Sequence, residues 1–358
     1  MRVALVHEFL TQLGGAEKVL ESFHELFPDA PVYTLFHDPE KTGNKFAAWD
    51  VRPSFLQSAK RYYKWSLPLM SRAIESFDLS GYDLVLSDSS AFAKGAMAKK
   101  PTTHICYCHT PTRYLWESMD GYVAGLPYGR LVKWAVKPYL RHYLKKWDYR
   151  AAQRPDFFIA NSRTVQKRIK TYYHRDSEVI YPPVDTELFR PEGKKQEYFV
   201  TGSRLEPYKK INLVIEAFNK LNLPLKVVGD GSELPKLKKL AGPNIEFFGK
   251  LSEEQLKMHF NNAQAFIFPA LEDAGIMVLE ALSSGTPVIG YARGGTGEFI
   301  RHRENGILFE NQTVSDIVSA VQRFKPENFD SQKLRASAMA FAKPEFQRNI
   351  SAFIAKHT

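Results

Sequence analysis

Cysteine is almost missing from this chain: Cys106 and Cys108 are the only two in 358 residues. They stand two apart in Thr103-His-Ile-Cys-Tyr-Cys-His109, which reads as a strand, so both point to one face. That geometry opposes a disulfide, and a chain kept in the cytoplasm would not hold one. With His104 and His109 nearby a metal site is conceivable, but Cys-x-Cys without a second ligand pair favours two buried thiols. Long apolar runs are lacking as well; none approaches the roughly 20 residues of a spanning helix. No secretory signal pattern opens the chain, because Met1-Arg-Val-Ala-Leu-Val-His7 reads as a first strand with acidic Glu8 after it. These absences set the expectation of a cytoplasmic protein. Acid is scarce too, 39 Asp and Glu against 49 Lys and Arg, a net charge of +10. The excess favours anionic partners: phosphates, nucleic acid or an acidic membrane surface. An RNA-binding signature, low-complexity tracts and an Asp-x-Asp motif at a strand end of the first half are all missing.

The chain does have size enough for two domains and the composition of a globular protein, 44% hydrophobic and 25% charged. Short apolar runs alternate with amphipathic segments. Residues 2–6, 32–36, 83–87, 103–108, 156–160 and 179–181 read as strands in the first half. In the second half the strands are 198–201, 225–228, 245–248, 265–268, 286–290 and 306–309. Such βα alternation predicts an α/β fold with parallel sheets. Pro182-Pro183-Val-Asp185, followed by the polar 192–196, reads as a stiff connection, giving domains at 1–183 and 184–340.

Two stretches stand apart. Residues 53–80 mix Phe55, Tyr62, Tyr63, Trp65 and Leu69 with Lys60, Arg61, Lys64 and Arg72. Residues 126–150 mix Tyr128, Leu131, Trp134, Tyr143 and Trp147 with Arg130, Lys133, Lys137, Arg141 and Lys145, and hold one acid, Asp148. Basic helices with interleaved aromatics suit an anionic membrane interface; equally, the aromatics could be core and the cations solvated.

Chemistry concentrates after strands, where parallel α/β sheets hold ligands. Gly14-Gly15 precedes a helix and could face phosphate. His109 follows a strand. In the second half, Arg204 and Lys209 lie on the loop after the first strand. Glu272 and Glu280 bracket the loop and helix after a later strand, with Gly275-Ile276 between them. Two cations suit a pyrophosphate, and two carboxylates suit hydroxyls. Phosphate beside polyol is the profile of a nucleotide sugar.

These residues carry a resemblance. Gly202-Ser-Arg204 with Lys209, and Phe268-Pro-Ala-Leu-Glu272-Asp-Ala-Gly275-Ile276 leading to Glu280-Ala-Leu-Ser-Ser-Gly285-Thr-Pro-Val-Ile289, resemble the motifs of the retaining glycosyltransferases of family 4 (group 1). Gly14-Gly15-Ala16-Glu17 and Tyr181-Pro-Pro-Val-Asp185 extend the likeness. Cys108-His109-Thr-Pro111-Thr-Arg-Tyr-Leu-Trp116 is similar to the bacterial O-antigen and capsule mannosyltransferases. Gly294-Gly-Thr-Gly297-Glu298 departs from the pattern, since relatives often carry a bulkier residue or proline before the glutamate.

The resemblance implies a GT-B architecture, two Rossmann-like parallel-sheet domains facing a cleft, with a C-terminal helix at 341–358 returning to the N-terminal domain. It implies that Arg204 and Lys209 hold the donor diphosphate, Glu280 the ribose, Glu272 the transferred sugar, and the Gly275-Ile276 backbone the phosphates. Gly14-Gly15 would close on the diphosphate and His109 would reach the sugar. No metal and no cofactor beyond the donor are expected. The implied reaction moves a hexose, with GDP-mannose the favoured donor, onto a polyprenyl-diphosphate-linked glycan at the inner membrane face. Alternatives are a nucleotide-sugar epimerase or hydrolase on the same fold, or a non-catalytic basic nucleic-acid-binding protein. The last is disfavoured because the cations of the motifs sit with carboxylates.

Overall fold

The apolar runs become strands, and the amphipathic segments become the crossovers that parallel pairing requires. The computed structural model describes residues 1–126 and 129–358. The chain divides into two units: Met1–Tyr181 together with Gln347–Thr358, and Pro182–Phe346.

In the first unit the strands are β1 (Val3–Leu10), β2 (Val32–His37), β3 (Val51–Pro53), β4 (Leu84–Ser89), β5 (Thr103–Cys108), β6 (Phe157–Ala160) and β7 (Glu178–Val179). They form one parallel sheet in the order β3-β2-β1-β4-β5-β6-β7. Chain order reverses where β1 meets β4, the position at which such sheets open a crevice beyond their strand ends. Register there sets His7 opposite Asp88, and Asp88 opposite Tyr107. Strand β1 runs past the expected end at Val6 and takes in Glu8. The acid does not break the strand because its charge is met in place. Its carboxylate accepts from the Ser89 hydroxyl at 3.2 Å, the Ser90 hydroxyl at 2.6 Å and the backbone N–H groups of Ser90 through Ala93. Glu8 thereby shapes the turn after β4. Strand β3 was not expected; it is a three-residue edge strand carrying an exposed proline, too short for any periodicity.

In the second unit β8 (Phe199–Gly202), β9 (Leu225–Val228), β10 (Ile245–Gly249), β11 (Phe266–Phe268), β12 (Val288–Tyr291) and β13 (Gly306–Phe309) form a parallel sheet in the order β10-β9-β8-β11-β12-β13. Its reversal lies at β8. Helix Ile211–Leu221 buries Val214, Ala217 and Phe218 against this sheet, the face its 3.6-residue spacing predicts. At Gly202 a Cβ would stand 2.2 Å from the Val228 carbonyl oxygen, so only glycine fits where β8 meets β9.

The last helix, Lys343–His357, carries residues of both units. Its later turns bury Ile350, Phe353 and Ile354. Phe353 meets Phe157 edge-on with centroids 6.3 Å apart, and the Gln347 amide donates to Glu25 at 2.8 Å.

Both readings of the basic aromatic stretches have residues on their side. Leu67, Met70, Leu140 and Leu144 are core, and Trp147 packs against it. Phe55, Trp65 and Trp134 are exposed, Trp134 by 79%. Tyr128 lies outside the described residues, as do the side chains of Tyr62, Tyr63, Lys64, Arg130 and Leu131. No helix among the described residues is long and apolar enough to cross a membrane. Cys106 and Cys108 are buried and unbridged, and burial pushes the Cys106 thiol up to about 12.

The lone acid of the second stretch has a structural task. Asp148 and Lys94 are each 1% exposed and paired at 2.6 Å. Asp148 also accepts from the Thr112 hydroxyl at 2.5 Å, the Trp116 indole at 2.7 Å and the Tyr173 hydroxyl at 2.9 Å. This network ties the segment after β5 to helix Lys145–Ala151. Asp148→Ala strands a buried ammonium and should cost about 3–5 kcal/mol in urea unfolding. An Asp148→Leu/Lys94→Met double variant should lose less than the single variant, because no charge is left unpaired.

Candidate active site

The first unit offers two groups at the carboxyl edge of its sheet. Gly14 is the extended N-cap of helix Gly15–Leu26, and no side chain caps that helix. Its first N–H groups are thus left for another acceptor, and Gly15 is exposed. Neither glycine is demanded by a positive φ; the close neighbour of Gly14 is Glu17, whose Oε2 lies 3.1 Å from where a Cβ would stand. His109 follows β5, and its N–H is held by the Ser89 carbonyl at 2.8 Å. Its side chain is 14% exposed, and its Nε2 meets the buried Asp88 carboxylate. The same carboxylate accepts from His7 Nδ1 at 2.8 Å, and His7 Nε2 faces Glu17 at 3.7 Å. Burial lowers the affinity of both imidazoles for a proton, but the neighbouring carboxylates reverse this: His7 is raised to about 10 and His109 is raised above its ordinary value. Asp88, though desolvated, is held below the usual carboxylate range by the two histidines.

The second unit gathers its motif residues around β8, β11 and β12. After β8 the chain turns through the short 3-10 segment Pro207–Lys209, with Lys210 left-handed at φ 57°. This buries Lys209 to 8% exposure and sets its ammonium 2.5 Å from Glu272 Oε1. Arg204 is exposed and makes no ion pair among the described residues. Of the motif charges Arg204, Lys209, Glu272 and Glu280, Lys209 and Glu272 are therefore directly joined. After β11 the chain runs to Gly275, a left-handed N-cap at φ 72°, and into helix Ile276–Ser283, again with no side-chain cap. Glu272 precedes the helix; Glu280 lies within it, 3% exposed.

At Gly297, where the departure lies, a Cβ would stand 2.1 Å from the Ala292 carbonyl oxygen, and the two glycines before it are as tightly placed. A Cβ on Gly294, itself at φ 74°, would meet the Glu272 carbonyl oxygen at 2.3 Å, and one on Gly295 the Ala274 carbonyl oxygen at 2.4 Å. Gly295 N–H donates to the Glu272 carbonyl at 2.8 Å. The glycine run after β12 thus lies flat on the loop that carries Glu272. Sequence reasoning missed this support, and it missed His7, Asp88 and Glu17. The signal for Asp88 was present: a polar Ser-Asp-Ser closes an otherwise apolar strand.

The arrangement can bind an anion at either uncapped helix start, with Lys209 and Arg204 adding positive charge in the second unit. Glu272 and Glu280 can accept from hydroxyls, and His109 can touch a polar ligand from its exposed side.

The family model "Glycosyltransferase Family 4" matches residues 13–188, and "Glycosyl transferases group 1" matches residues 185–341. Among curated relatives, the GDP-mannose-dependent alpha-(1-6)-phosphatidylinositol monomannoside mannosyltransferase of Mycobacterium tuberculosis is 26% identical over 54% of this chain and 58% of its own length. The sulfoquinovosyl transferase of Arabidopsis thaliana is 30% identical over 39% of this chain and 31% of its own. The chain thus spans between about a third and three-fifths of these relatives. Among solved structures, HepE of Anabaena in complex with UDP-glucose superposes with a TM-score of 0.71 at 17% identity, covering 99% of this chain and 100% of that one. Sucrose-phosphate synthase of Thermosynechococcus elongatus does so with a TM-score of 0.77 at 15% identity, covering 99% of each. The two adjoining family matches show that the chain belongs to the group 1, family 4 glycosyltransferases, and the structural likenesses show the GT-B fold.

Proposed function

We propose that this glycosyltransferase transfers a hexose, with retention of configuration, from a nucleotide diphosphate sugar to a lipid-linked glycan, and that GDP-mannose is its donor. The observation that carries the reading is the Lys209–Glu272 pair beside the uncapped start of helix Ile276–Ser283. A leaving diphosphate gains negative charge, and fixed cations at that point lower the barrier more than they tighten ground-state binding. Lys209 is the fixed cation, oriented by Glu272; exposed Arg204 is the adaptable one. Glu280 takes the ribose hydroxyls and Glu272 the sugar. In the first unit, Gly14-Gly15 forms a phosphate-facing turn, and His109 a contact for the sugar. These cations make a metal unnecessary for charge neutralisation. We assign no protein nucleophile; the diphosphate oxygen assists removal of the acceptor proton. The mannose donor is supported by the GDP-mannose dependence of the mycobacterial relative, and a lipid-linked acceptor by exposed Phe55, Trp65 and Trp134 among basic residues.

Two measurements test this. Lys209→Ala should lower turnover about 10²–10³-fold, the usual loss for one transition-state donor, while circular dichroism stays native. Glu272→Ala should reduce transfer as well; wild-type rates in both variants sink the assignment. In thermal-shift screening, GDP-mannose at a hundredfold excess over its Kd should stabilise by about 2.7 kcal/mol, and UDP- or ADP-sugars by less. Stabilisation by UDP-glucose alone, the ligand of the Anabaena neighbour, would replace mannose as the sugar.

A further inference from the structure

One buried chain of charges in the first unit has no place in the phosphate and ribose contacts above. Glu17, His7, Asp88 and His109 follow one another from helix Gly15–Leu26 across β1 and β4 to the end of β5. Glu17, His7 and Asp88 are at most 4% exposed. An ionised carboxylate only accepts hydrogen bonds. Asp88 therefore requires N–H on both His7 Nδ1 and His109 Nε2. Glu17, facing His7 Nε2 at 3.7 Å, calls for a proton on that nitrogen too, which makes His7 an imidazolium. Two carboxylates and one imidazolium leave a net negative charge in a dry place, which costs several kcal/mol unless it is balanced. The remaining group able to balance it within the chain is His109. Glu8, the other acid near His109, is already met by backbone N–H groups. Tyr107 meets His109 edge-on, with centroids 5.3 Å apart, and its hydroxyl donates to the Ile180 carbonyl. His109 Nδ1 makes no hydrogen bond among the described residues.

We propose that Asp88 is the positioning residue of His109: with His7 and Glu17 it holds the ring by Nε2 and keeps it an imidazolium, so that Nδ1–H is offered as a donor to a substrate oxygen. His109 is then neither a general base nor a passive loop residue. A donor at this point selects a hydroxyl or phosphoryl oxygen, and the selection is lost when the ring deprotonates. The elevated proton affinity of both imidazoles agrees with this charge balance. Because Glu17 belongs to the first turn after Gly14-Gly15, the same chain links the charge at His109 to the glycine turn. The substrate's identity rests on the function proposed above; the protonation state does not.

The test is histidine side-chain NMR on the full-length protein, uniformly 15N-labelled, titrated from pH 5 to 10 with no ligand present. His7→Gln and His109→Gln variants assign the two rings. In the wild type, His109 should be doubly protonated at pH 7 and lose its Nδ1 proton only above that pH, with Nε2 bonded throughout. A neutral His109 at pH 7 overturns the proposal without recourse to a variant. In Asp88→Asn both rings should titrate at lower pH, since burial is then opposed by less charge; an unchanged His109 also overturns it. Should Asp88→Asn not fold, Glu17→Gln serves, lowering the His7 midpoint more than that of His109. The raised His7 also fixes a sign for stability: its contribution is full below about pH 6.5 and is lost as pH rises towards 10. Urea midpoints should fall over that range in the wild type and fall less in His7→Gln. Should the protein transfer no sugar from any nucleotide donor, the proposed function fails while the NMR result still decides the chain of charges.

Discussion

Parallel strands cannot be joined by a tight turn, and the molecule follows from that constraint. Each strand must be followed by a crossover that returns the chain to the same starting edge, so the strand ends collect on the opposite edge. Glu8, Asp88, His109, Arg204 and Glu272 come from distant parts of the chain, and all lie at or just past such ends. The core side chains keep the edges in register. The polar side chains at the edges are what make one sheet different from another.

The two units use their edges differently. The second works with backbone geometry: left-handed Lys210 and Gly275, and glycines 294 and 295 pressed against carbonyls that no Cβ could approach. It has few wholly buried charges, and Lys209 is neutralised by one partner. The first works with buried charge. Glu8 is surrounded by amides, Asp88 by two imidazoles, and Asp148 by an ammonium, two hydroxyls and an indole. A buried carboxylate is tolerable only when its acceptor sites are filled, so each of these three specifies the position of several neighbours at once.

This difference explains how much could be read from the chain. In the second unit, glycines, prolines and apolar runs punctuate the sequence, and every expected strand appears within two residues of its expected start. The loop carrying Glu272 was legible for the same reason. In the first unit the informative groups are acids and histidines whose partners are about 80 residues away, as His7 and Asp88 are, and no local pattern announces such a pair. Glu8 was read as the end of a strand because an isolated acid in an apolar run usually is one; only the turn after β4 reveals its donors. Asp148 looked like a minor charge in a basic helix. Gly294 and Gly295 were visible, but their reason was not, since it lies in carbonyls some 20 residues earlier. The edge strand β3 was hidden by its length.

The first unit is not a continuous piece of chain: its last helical turns, with Ile350, Phe353 and Ile354, come after the whole of the second. During synthesis, Phe157 and helix Gly15–Leu26 are made long before the residues that cover them. The second unit can complete its own fold while the first still waits, with apolar surface open to solvent. Phe157 can therefore meet Phe353 only after the whole of the second unit has been synthesised.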